Sequence, residues 1–133
     1  MEFETKEQLA GAFRATWYLL HTIAYHSRSK EQASDSCFGH TLRTILLNFF
    51  CETCRPHALE YIERIPYSIF QHLRDDSGSY IGPFLYIHNF HNDVNRRLGK
   101  SETSFDDALQ AYGNGQISCS QCRLPNLLQA NNN

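Results

Sequence analysis

Apolar positions recur with helical spacing through most of the chain. Between residues 6 and 27, Leu9, Ala12, Phe13, Thr16, Leu19, Leu20, Ile23 and Ala24 fall on one broad face, as in an amphipathic helix packed on a core. Phe38, Leu42, Ile45, Leu46 and Phe49 repeat the pattern and predict a second helix from Ser36 to Phe50. A third is expected to carry Cys51 and Cys54 near its start and to run through Leu59, Ile62 and Ile65. It should stop at Pro66, because proline disfavours helix at the residue before it. Residues 66–79 read as a short helix followed by the loop Asp75-Asp76-Ser77-Gly78-Ser79. Pro83 suits the first turn of a fourth long helix reaching Leu98, where Gly99 can take the left-handed closing position. The strand-like run from Tyr80 to Ile87 is better read as the start of that helix. A final short helix from about Ser104 to Tyr112 stops at Gly113-Asn114-Gly115. The expected fold is all-α: a four-helix bundle plus a short fifth helix.

Composition narrows the class without changing that picture. At 133 residues the chain supports one core, and 41% hydrophobic with 20% charged residues is ordinary for a soluble domain. A net charge of −2 gives no electrostatic footprint for nucleic acid or an anionic membrane, so neither is an expected partner. The longest apolar stretches, such as Thr44 to Phe50, fall far short of a membrane span. Residues Met1 to Lys6 carry acids where a secretory leader would carry bases, so a cytoplasmic protein is expected. The pattern divides into a domain at 1–115 and a polar, flexible tail at 116–133.

Four of the five cysteines form two CxxC pairs, Cys51-Glu52-Thr53-Cys54 and Cys119-Ser120-Gln121-Cys122, which leaves Cys37 over. In a reducing compartment such pairs are more often redox-active or metal-binding than structural. A CxxC at a helix start suits disulfide exchange. The two thiols can bond without unfolding the helix, and the helix N-terminus stabilises the thiolate that acts as nucleophile. The alternatives are half a zinc site or two unrelated core thiols. Zinc would need both pairs, and the 64 residues between Cys54 and Cys119 far exceed the roughly 15–20 of compact zinc ribbons.

Two helical faces carry polar and aromatic groups together. His88, His91, Asn92 and Asn95 share one face of the fourth helix, and Arg14, Trp17, His21 and Tyr25 share one face of the first. Buried imidazoles and carboxamides are costly unless hydrogen-bonded, so the first stripe is either a ligand site or a solvated face. On the second stripe, rings could stack on an aromatic ligand while Arg14 meets a phosphate. His88 and His91 lack the carboxylate–histidine pattern of a metal site, and no metal is expected. No GxGxxG follows a strand, and no P-loop motif is present.

These pieces, in this order, resemble the Erv/ALR family of FAD-linked sulfhydryl oxidases. The resemblance rests on residues 14–24 (Arg-Ala-Thr-Trp-Tyr-Leu-Leu-His-Thr-Ile-Ala), on Cys51-Glu52-Thr53-Cys54, and on His91-Asn92-Asp93-Val94-Asn95-Arg96-Arg97-Leu98-Gly99-Lys100, ending near Phe105-Asp106. It spans about residues 10–112. It implies a helical bundle holding FAD in its mouth, usually as a homodimer, that oxidises protein dithiols and passes the electrons to O2, giving hydrogen peroxide. It further implies Cys54 as the flavin-proximal thiol and Cys51 as the interchange thiol. Arg14, Trp17, His21, His91, Asn92, Asn95 and Lys100 match positions lining FAD, and Tyr25 matches less closely because His26 follows it where the family usually has proline. Cys119 and Cys122, on the tail, could relay electrons from substrate to Cys51 as shuttle pairs do in this family, the alternative being a structural bond that closes a very short loop.

Two departures stand out. Asp107 occupies a position where the family commonly has a cysteine that staples the adenine end. Tyr112-Gly113 stands in for a tryptophan. A short chain without that staple and with a variable tail is similar to the oxidases encoded by large cytoplasmic DNA viruses. The main alternative is a non-catalytic helical interaction module stabilised by zinc through both CxxC pairs. A flavin-free thioredoxin-like reductant is disfavoured, because no βαβ pattern is present.

Overall fold

Thr5 starts the first helix by a reciprocal cap. Its hydroxyl accepts from the Gln8 backbone N–H at 3.0 Å, and the Gln8 side chain accepts from the Thr5 N–H at 3.2 Å. In the computed structural model, which describes residues 2–27 and 35–113, that helix is α1 (Lys6–His26). It is followed by α2 (Asp35–Leu47), α3 (Cys54–Arg64), a single 3-10 turn at Tyr67–Ile69, α4 (Gly82–Arg97) and α5 (Phe105–Gly113). The described residues form the helical bundle with a short fifth helix that the apolar periodicity predicts.

α1 packs chiefly on α4 and α2 on α3, while α5 closes over α1 and α4. The buried core takes Leu20 and Ala24 from α1, Phe38, Leu42 and Leu46 from α2, Ala58 and Tyr61 from α3, and Ala108 from α5. α4 is the axle of the bundle. Phe84, Tyr86, Ile87 and Phe90 are buried on it, and so are His88, Asn92 and Asn95. A helix buried on most of its circumference must satisfy its polar groups inside the protein. Not all of the broad apolar face of α1 is core: Leu9, Leu19 and Ile23 are exposed. No helix among the described residues is long and apolar enough to cross a membrane.

Two boundaries differ from the sequence expectation. α2 ends at Leu47, not at Phe50. The Asn48 amide donates to Thr44 O at 2.8 Å, competing with the helix ladder, and the Phe49 N–H bonds one residue short, to Leu46 O. The rings of Phe49 and Phe50 then turn onto Phe13 of α1, at 5.8 and 5.2 Å between centroids. Residues 66–79 hold only the 3-10 turn and a loop, in which Asp75 Oδ1 accepts from the backbone N–H groups of Ser77 and Ser79. In both places a local side-chain bond to the backbone competes with the helix.

α4 ends as predicted. Gly99 has φ +70°, and the N–H groups of Lys100 and Gly99 bond Asn95 O at 2.8 Å and Arg96 O at 3.2 Å, a Schellman closure. Asp107, where the resemblance leads one to expect cysteine, stands in the first turn of α5. The Ser104 hydroxyl accepts from the Asp107 N–H at 3.1 Å, and Asp106 and Asp107 sit in the first turn, where negative charge suits the helix N-terminus. Here the cap and the first-turn charges hold the start of α5.

Candidate dithiol and imidazole site

Cys54 is the first residue of α3, with Thr53 as the N-cap position, and Cys51 lies in the turn before it. The two are joined by a disulfide, with Cα atoms 5.2 Å apart. The N–H groups of Cys54 and Arg55 donate to Cys51 O at 3.1 and 3.2 Å, so the turn holds both sulfurs at the open end of the helix. Arg55 Nε donates to Phe49 O at 2.6 Å, fixing the chain that enters the motif. Sulfur at this position lies at the positive end of the α3 dipole, which favours thiolate over thiol. The neighbouring Phe50 packs on Phe13, one helical turn before Trp17 on α1.

The two stripes expected from the sequence face each other across α1 and α4. His21 is 1% exposed, and its Nε2 lies 2.9 Å from Nδ1 of His91. Trp17 stacks flat on His91 at 4.0 Å, and Tyr112 of α5 stacks flat on His21 at 4.2 Å. One nitrogen is left over: His21 Nδ1 is buried with no hydrogen-bond partner among the described residues. A buried orphan of this kind costs on the order of 1–3 kcal/mol unless a ligand or water meets it.

Asn92 is fully engaged inside the protein. Its Oδ1 accepts from the Thr103 N–H at 3.0 Å and from Asn95 Nδ2 at 3.4 Å. Its Nδ2 donates to Thr103 O at 2.8 Å and lies 3.3 Å from His88 Nε2. The paired Thr103 contacts fix the amide's orientation, so His88 Nε2 is an acceptor. Asn92 is therefore neither a solvated group nor a free ligand group. Asn92 holds residues 99–104 against α4, which places Lys100 at the rim. Thr103 has no signal in the sequence, since its part is played by its backbone.

The other predicted residues lie at the edges of this cluster. Arg14 and Lys100 are exposed, and neither has an ion-pair partner among the described residues. Tyr25 packs so closely on Gly113 that a Cβ there would come within 3.0 Å of its ring, which seats the end of α5 on α1. Cys119 and Cys122 lie outside the described residues. Among the described residues no group of three or more His, Cys, Asp or Glu is arranged to hold a metal ion. A cavity of about 270 Å³ lies elsewhere, between α2, α3 and the 66–71 turn, with Leu42, Ile62 and Tyr86 in its walls. It holds neither of the site's sulfurs nor its imidazoles.

Burial, then the charges of His91 and His88, hold His21 down to about 3. Burial, then His88 and Lys100, hold His91 down to about 4. Both groups titrate near 6.5 when unfolded, so below that pH the unfolded chain binds more protons than the folded one. Their stabilising contribution is complete above pH 6.5 and is lost as pH falls towards 4. A slope of about 1–2 kcal/mol per pH unit is expected between pH 6 and 4. Urea midpoints measured at pH 7.5 and pH 5 test this, and equal midpoints would refute it.

Residues 14–113 match the sequence model of the Erv1/Alr family. Among solved structures, the chain is similar to the crystal structure of the yeast Erv1 core, at 20% identity over 86% of this chain and 89% of that one, with a TM-score of 0.66. At that identity the likeness bears on the fold. No curated protein sequence matches the chain.

Proposed function

The chain belongs to the Erv1/Alr family of sulfhydryl oxidases, and on that premise we propose that it binds FAD and makes disulfides in protein substrates with O2 as the final acceptor. The observation that carries this is the placement of a helix-start Cys51–Cys54 disulfide and an aromatic–imidazole cluster along one helix, α1, through Phe13 and Trp17. The residues present fit the cofactor. The buried His21 Nδ1, orphaned among the described residues, calls for a polar atom, Trp17, His91, His21 and Tyr112 offer ring faces, and Arg14 and Lys100 are cations without an ion-pair partner among the described residues, suited to phosphates. Asn92, Asn95 and Tyr25 shape the wall behind them. FAD, when bound, accepts two electrons from a dithiol and hands them to O2, giving hydrogen peroxide.

The chain's own part is thiol exchange. A substrate thiolate attacks Cys51 Sγ, forming a mixed disulfide and releasing Cys54 as a thiolate that the α3 N-terminus stabilises. The second substrate thiol loses its proton and displaces Cys51, leaving the substrate oxidised to a disulfide and Cys51 and Cys54 both as thiolates. Cys54 is assigned the cofactor-facing role and Cys51 the exchange role. Purified protein should be yellow and should consume oxygen when given dithiothreitol; a colourless protein that FAD cannot reconstitute would end this reading. The exposed Leu9, Leu19 and Ile23 of α1 suit a second copy of the chain, so light scattering should give a dimer mass.

Cys119 and Cys122 are proposed as the shuttle. From Gly113, beside Tyr25, six residue steps to Cys119 reach about 20 Å. Along α1, the rise from Tyr25 back to Phe13, which packs beside the CxxC turn, is about 18 Å. Fully extended, those six steps span the length of α1 between Tyr25 and Phe13. Replacing both with serine should slow oxidation of a protein dithiol by about tenfold while leaving dithiothreitol oxidation nearly unchanged. Equal loss on both substrates together with unfolding would show a structural clamp instead.

A further inference from the structure

The His21–His91 contact is a bond between two imidazoles, which constrains more than position. One proton lies between the rings, so their neutral tautomers are coupled. If His91 Nδ1 donates, His21 Nδ1 carries a proton and His91 Nε2 is a lone pair; if His21 Nε2 donates, both outer nitrogens reverse. The two ends differ in surroundings. Among the described residues neither outer nitrogen has a hydrogen-bond partner, but His91 is half-buried whereas His21 Nδ1 is buried inside. The other groups with charge to offer around the pair are His88 on α4, Lys100 beyond it and Tyr112 on α5, and no carboxylate hydrogen-bonds either ring. Both rings are held in place by flat stacks, on Trp17 and on Tyr112.

We propose that His21 and His91 form a two-imidazole proton relay between solvent and the interior of the cofactor site. The inference rests on the FAD reading above, since that chemistry needs protons as well as electrons. A proton from water binds His91 Nε2, the Nδ1 proton of His91 passes to His21 Nε2, and the Nδ1 proton of His21 leaves to the bound group. One proton enters, one leaves, no electron moves, and both rings end as the opposite tautomer. Passage in the reverse direction restores them.

The test uses full-length, FAD-loaded protein and the variant His91→Phe, which keeps a ring to stack on Trp17 but cannot carry a proton. With flavin absorbance retained, turnover should fall by about 10²-fold, and added imidazole should restore part of it. Unchanged turnover, or a loss that imidazole leaves untouched, overturns the relay. A second readout needs no turnover: in ¹⁵N spectra of the unaltered protein, the His21 Nδ1 and His91 Nε2 signals should shift together on adding FAD. If His21 Nδ1 does not respond while the flavin binds, the relay is wrong. If no flavin binds to the unaltered protein, the FAD reading fails and takes the relay with it.

Discussion

Replacement of Cys54 or Cys51 by serine should abolish dithiol-driven oxygen consumption, by more than about 10³-fold, with helix content and flavin absorbance retained. The pair is one bonded unit at the mouth of α3, and neither cysteine belongs to the buried core to which that helix contributes Ala58 and Tyr61. Loss of either sulfur should therefore remove the chemistry and spare the fold. The two variants should still differ. Cys51→Ser leaves Cys54 as a lone thiol at the helix N-terminus, where thiolate is favoured. A long-wavelength absorbance band from that thiolate beside the flavin should appear. If the band appears in Cys54→Ser instead, the two roles are reversed; if both variants still turn over, the disulfide is structural.

The largest stability effect is expected at Gly82, the first residue of α4. A Cβ there would fall on the Phe70 carbonyl oxygen and within 2.8 Å of its carbon, both backbone atoms that no rotamer change can move. The segment is tied on both sides, since Ile81 N–H donates to Leu73 O at 3.0 Å and Leu85 N–H to Ile81 O at 2.9 Å. Gly82→Ala should cost about 3 kcal/mol or more, by displacing the start of the helix that carries His88, His91, Asn92 and Asn95. Gly99→Ala is the comparison. Gly99 needs its positive φ but has open space around it, so the expected cost is only about 1–2 kcal/mol. Urea melts of the two variants separate the effects, and equal losses would mean the close approach at Gly82 is not rigid.

Helix count, the glycine stop at Gly99, the proline in the first turn of α4 and the position of the CxxC at a helix start were all legible in the chain, because each depends on neighbours within a turn or two. The same local rule showed that His88, His91, Asn92 and Asn95 share a face, and that Arg14, Trp17, His21 and Tyr25 share another. Periodicity says which residues stand together; it is silent on what stands opposite. Only the tertiary structure set His21 against His91 across 70 residues, turned Asn92 inward to grip the backbone of Thr103, and brought Tyr112 over His21. Only it cut α2 short by drawing Phe49 and Phe50 onto Phe13, and allowed α4 to begin where a bare glycine meets the Phe70 carbonyl. Spacing along one helix is determined by bonded geometry, while a hydrogen bond, a ring stack or a close approach between distant segments exists only once packing has brought them together.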